Sequence, residues 1–155
     1  MADFIIEPIS ARWQQQLLQG TGQIENNPAI KVVADAKPGY PCRLSLQDAE
    51  PGEVLFLFSH SPFSTASPYR ETGPVFVREN AKPAVLGVNQ IPEIAKARSI
   101  VVRAYDAGGM MVAASEAETH EIADTIREFL QDESVEFVHL RAVVSGCFLC
   151  EARRM

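Results

Sequence analysis

A chain of 155 residues with 46% hydrophobic and 22% charged side chains has the composition of a folded globular protein, not of a disordered one. Its net charge of −6 repels phosphate backbones and argues against non-specific nucleic-acid binding. No apolar run nears the roughly 20 residues that span a bilayer, and the opening Met1 to Pro8 carries an acid where a basic leader would stand, so the expectation is a cytoplasmic protein with no membrane partner.

At this length one globular domain over residues 1–155 is the simplest organisation. Phe4 to Ile6 reads as a short strand. Ser10 is placed to cap a helix over Ala11 to Gln19, because Ile9, Trp13 and Leu17 recur every fourth residue and Gly20 follows. Residues 20 to 28 hold Gly, Asn and Pro and read as loop; Ile30 to Val33 reads as a second strand. Lys37 to Pro41 is a turn. Cys42 to Leu46 alternates, which predicts a strand with Cys42, Leu44 and Leu46 on one face and Arg43 and Ser45 on the other.

Val54 to Phe58 is apolar at every position, as in a central strand covered on both faces. After a Ser- and Pro-rich loop from His60 to Ser67, the run Pro68-Tyr69-Arg70-Glu71-Thr72-Gly73-Pro74 leads into a strand over Val75 to Arg78. Residues 80 to 93 are irregular, with one helical turn near Ile94. Ser99 to Tyr105 reads as a strand that turns at Asp106 to Gly109 into Met110 to Val112. Ser115 and Glu118 have capping-box spacing ahead of a helix marked by Ile122, Ile126, Phe129 and Leu130. Val135 to Val144 and Cys147 to Arg153 form a closing hairpin about Ser145-Gly146. The sum is α+β: mainly an antiparallel or mixed sheet with two helices packed on it.

The segments Tyr40-Pro41-Cys42-Arg43, Pro51-Gly52-Glu53, Pro68 to Pro74, Arg103-Ala104-Tyr105-Asp106, Val138-His139-Leu140-Arg141 and Gly146-Cys147 resemble a family of small bacterial proteins known only as a domain of unknown function. The resemblance runs from about residue 38 to the end. It implies a single-domain cytoplasmic protein and brings no activity, ligand or catalytic residue with it.

Function must therefore be read from residue chemistry. Arg43, Arg70, Arg78, Arg103 and Arg141 lie on or beside expected strands, where an arginine is costly to bury unless paired. The guanidinium fork suits carboxylate or phosphate. Arg43, Arg70, Arg103 and Arg141, with Tyr69, are therefore candidate ligands for a small anion at one end of the sheet. The competing account pairs the arginines with Glu53, Glu71, Glu79, Asp106 and Glu136.

Three cysteines, Cys42, Cys147 and Cys150, are expected as free thiols. Cys147 and Cys150 have CxxC spacing, with His60, His120 and His139 as possible further ligands. Yet positions three apart on a strand face opposite sides, so no metal is expected. Cys42 adjoins Arg43, and a nearby cation lowers a thiol's pKa, so a thiol-dependent enzyme or redox protein is the first alternative. An interaction module with structural arginines is the second. Nothing in the sequence calls for a cofactor.

Overall fold

The computed structural model describes residues 1–155. The chain is α+β, but its strands form two antiparallel sheets where the sequence suggests one. The larger sheet has the order β1 (Phe4–Glu7), β9 (Phe148–Arg154), β8 (Val135–Ala142), β6 (Ile100–Asp106), β7 (Met111–Ala117). The smaller runs β2 (Gln23–Ile24), β3 (Asn27–Val33), β4 (Val54–His60), β5 (Gly73–Arg78). The chain therefore closes on itself: the first strand pairs with the last, Phe4 opposite Arg154.

Strand alternation gives the larger sheet two unlike faces. Ile100, Val102 and Ala104 of β6, Val138 and Leu140 of β8, and Cys150 and Ala152 of β9 point into a 20-residue core. Helix α3 (Ile122–Gln131) covers that face with Ile122, Ile126 and Leu130, all fully buried, and α2 (Glu93–Lys96) adds Ile94 and Ala95. The opposite face presents Arg103 and Tyr105 from β6, Phe137, His139 and Arg141 from β8, and Glu151 from β9. Loop 61–72 folds over it, with Phe63 edge-on to Tyr105 and to Phe137.

In the smaller sheet β4 lies between β3 and β5, as its apolar run demands. Phe56 and Phe58 join Trp13 and Leu17 of α1 (Arg12–Leu18) in a second core, while Leu55 faces Ala34 and Ala49 on the other side. The helix starts one residue later than its spacing implies, and Ser10 Oγ accepts the Arg12 N–H at 3.2 Å.

Three further expectations fail. Residues 20 to 28, read as loop, hold β2 and the start of β3, which pair through Gln23 with Pro28 and Ile24 with Asn27. The Ser115–Glu118 pair does not cap α3: β7 continues to Ala117, and the capping box is Glu118 with Glu121 around a 3-10 turn. Cys42 to Leu46 is not a strand either. It is a tight turn closed by the Leu46 N–H on the Cys42 carbonyl at 2.9 Å, with Leu46 at φ +57°. A left-handed leucine costs roughly 1–2 kcal/mol. Leu46 lies within the larger core, which holds it there.

Candidate functional site

The strained turn presents Arg43. The expected alternation put Arg43 on a polar face; instead it is 2% exposed and wedged between the two sheets. Its Nε donates to the Phe148 carbonyl at 2.8 Å and its Nη1 to the Pro41 carbonyl at 2.5 Å. Both partners are neutral. The arginine ion pairs of the molecule are Arg78–Glu53, Arg98–Asp48, Arg127–Asp3, Arg141–Glu71, and Arg153 with Glu136 and Glu151; Arg43 is in none of them. Burial pushes the guanidinium down to about 10, so it keeps its charge at neutral pH.

Arg43 lines a cavity of about 510 Å³ whose walls include Pro41, Phe76, Ala142, Val144 and Leu149. A second guanidinium, Arg98, reaches the same cavity. Its charge is already met, since Nη1 and Nη2 donate to the two oxygens of Asp48 at 3.0 and 2.6 Å. Arg98 went unnoticed in the sequence because neither it nor Asp48 stands in a patterned segment. The cavity is thus mostly apolar, with one unmet positive charge.

Two neighbouring cavities share Phe148 and His60 as a wall. The first, about 340 Å³, is lined by Arg12, Trp13, Ser61, Arg70 and Glu151 among others. The second, about 260 Å³, holds Glu71, Arg141 and Cys147. His60 is 8% exposed, lies edge-on to Trp13, and its Nδ1 makes no hydrogen bond. Beneath this wall His139, fully buried, meets Glu151 at 2.9 Å through Nε2, and Arg153 bonds the other carboxylate oxygen at 2.6 Å. Burial holds His139 below its ordinary range, despite the pull of Glu151. Burial pushes the Glu151 carboxyl up, but the hydrogen bonds of His139 and Arg153 and the Arg153 charge together bring it lower than usual. Both directions fit a neutral imidazole donating its Nε2–H to an ionised carboxylate, which assigns that tautomer. The sequence offered a cue to Glu151, an acid between the apolar Cys150 and Ala152 on a strand, the same cue that drew attention to the arginines.

The five residues expected to gather on one anion do not share a cleft. Arg43 lines the cavity of about 510 Å³, Arg70 the one at Trp13 and Arg141 the one at Glu71. Arg141 pairs with Glu71 and donates to the Gly146 carbonyl at 3.0 Å. Arg70 is exposed and donates to the Phe63 carbonyl at 2.6 Å, so it pins its own loop. Tyr69 is 38% exposed and lies edge-on to Tyr105. Arg103 stands on β6 opposite His139. The competing account holds for Glu53, Glu71 and Glu136, which pair with arginines, whereas Glu79 takes Lys31 and Asp106 accepts backbone N–H groups of its turn. That loop is held closely at Gly109, where an added Cβ would come within 2.8 Å of Thr65 Oγ1.

The thiols also separate. Cys42 is fully buried, and its sulfur accepts N–H bonds from Ser45 and Arg78 at 3.4 and 3.3 Å, a structural setting with no approach for a substrate. Cys150 is buried in the larger core, where burial pushes its thiol up. Cys147 sits half-buried in the β8–β9 turn. No three His, Cys, Asp or Glu side chains are grouped to hold a metal ion.

The imidazole of His60 gives the site a pH signature. Burial first, then the charges of Arg12 and Arg43, lower it from 6.5 to about 4. A histidine that resists protonation in the fold contributes its full stability above about pH 6.5 and loses it as pH falls towards about 4. The difference amounts to roughly 3 kcal/mol, and His139 acts in the same direction. Urea titrations across this window should show stability falling, and falling less in His60→Phe. An equal fall in both proteins would show that His60 is already solvated.

No helix is long and apolar enough to cross a membrane. No curated protein and no solved structure matches the chain. The model of the family described as protein of unknown function (DUF1203) matches residues 39–154, a span that starts just before the Arg43 turn and takes in every wall of the Arg43 cavity from Gly39 on, and the chain belongs to that family.

Proposed function

We propose that this protein binds a small organic anion, a carboxylate with an apolar body, in the cavity over Arg43. The observation that carries this reading is a guanidinium 98% removed from solvent with no acid to meet its charge, since Arg43 is 2% exposed and takes only backbone carbonyls. An unmet buried charge is expensive, and an anion in the adjoining cavity offsets it. The cavity of about 510 Å³ lies within the usual range for small-molecule sites, and such sites combine apolar walls with few polar anchors. Pro41, Phe76 and Leu149 receive the hydrocarbon while Arg43 takes the carboxylate. Arg70, by contrast, is engaged with carbonyls of its own loop.

Thermal melting in a series of carboxylates of rising chain length tests this. Stabilisation should grow with the hydrocarbon, reaching about 2.7 kcal/mol at a hundredfold excess over Kd. The matching neutral amides should have no effect, a control that leaves the protein unaltered. Arg43→Met should lose the response. A wild-type melting temperature indifferent to every carboxylate would end this reading.

A further inference from the structure

Cys147 is the accessible thiol of the molecule, and it stands between two cavities. It lines the Arg43 cavity on one side and, on the other, the cavity of Arg141 and His60. The turn Ser145-Gly146-Cys147 carries it there, with the Cys147 N–H on Ser145 Oγ at 3.4 Å. A guanidinium shares each cavity with it, Arg43 in the first and Arg141, paired with Glu71, in the second.

A lone thiol in a turn is not a site. Here a second feature points to a ligand: His60, 8% exposed, lines the Cys147 cavity, and its Nδ1 has no protein partner. The Nε of Arg141, 6% exposed, is also unpartnered. Buried polar atoms are nearly always satisfied, and two unsatisfied ones on residues that line one cavity with Cys147 point to a polar partner that the chain does not supply.

We propose that Cys147 is a covalent site that undergoes thiol–disulfide exchange with disulfides of small anionic thiols. This deepens the reading of the Arg43 cavity, because Arg43, whose charge no acid meets, holds the anionic group while the sulfur reacts. The Cys147 thiol releases its proton to water. Its thiolate then attacks one sulfur of the incoming disulfide; that S–S bond breaks, a new one forms to Cys147, and the other half leaves as a thiolate.

The native chain is treated with the dianionic dithiobis-nitrobenzoate and with neutral dithiodipyridine, and the released chromophore and the mass of the protein are followed. One thiol should react in the folded protein, and Cys147→Ser should abolish that phase. The anionic-to-neutral rate ratio should exceed that of a free small thiol by about tenfold, the low end of electrostatic steering, and should collapse towards it in about 1 M salt. A ratio no higher than that of the free thiol overturns the proposal, as does modification of Cys42 or Cys150 in place of Cys147. Carboxylate binding is measured separately in the untreated wild type: its absence with the rate ratio intact removes the anion-cavity reading and leaves this one standing, and the reverse result removes this one alone.

Discussion

Asp48→Ala should cost about 3–5 kcal/mol of folding stability, the range for breaking a buried ion pair from one side. The Asp48 side chain is 1% exposed and that of Arg98 17%, and the two make a bidentate pair. Arg98 also donates to the Ile94 carbonyl at 2.7 Å, so the alanine variant leaves it held in place, charged and without a counter-ion. The sign of a second effect follows from the same geometry. Arg98 shares its cavity with Arg43, and losing Asp48 would place two unmet guanidiniums there instead of one. The variant should therefore be less stable than wild type and yet gain more from added carboxylate. Urea unfolding with and without hexanoate measures both quantities. A stability loss below about 1 kcal/mol, the median for exposed pairs, would show that water reaches the pair. A carboxylate gain no larger than in wild type would show that Arg98 does not face the ligand.

The strands that proved readable are those whose pattern is local. β4, β6 and the β8–β9 hairpin followed from apolar runs, alternation and turn residues, and α3 from its four-residue spacing. The division into two sheets was not readable, because it depends on which strands pair, and β1 finds its partner at the far end of the chain. The Cys42 to Leu46 turn misled for a sharper reason. Its alternation did mark Cys42, Leu44 and Leu46 as buried, as they are. But Leu46 adopts a left-handed conformation that sequence does not announce, and in the turn that results Arg43 is buried as well. The same limit applies to the site. Residue chemistry picked out Arg43 and Arg141 as candidates, but could not show that Arg141 would meet Glu71 while Arg43 would meet only carbonyls. Whether a buried charge is met decides between structure and function here, and that depends on contacts 105 residues apart in the case of Arg43 and Phe148.

Phe56→Ala should lose about 3–5 kcal/mol, as truncations of buried phenylalanine do. Phe56 is 4% exposed on the central strand of the smaller sheet, packed in a core of only ten buried residues with Trp13, Leu44 and Val77. Its cross-strand neighbours are Lys31, whose ammonium sits 5.6 Å from the ring centre, and Val77. Neither can swing in to fill the space, because β-pairing fixes both strands. At about 2–4 °C per kcal/mol for a chain of this size, the melting temperature should drop by roughly 10 °C. The core also carries Cys42 and Leu44, the first half of the turn that holds Arg43, so the variant asks whether that turn depends on the sheet beneath it. Phe56 itself lines none of the three cavities. If the turn is held by its own hydrogen bonds and by Leu46 in the larger core, the carboxylate-induced rise above the variant's lower baseline should match that of wild type. A lost rise would mean that the smaller sheet positions Arg43; an unchanged melting temperature would mean that Phe56 is not in a packed core at all.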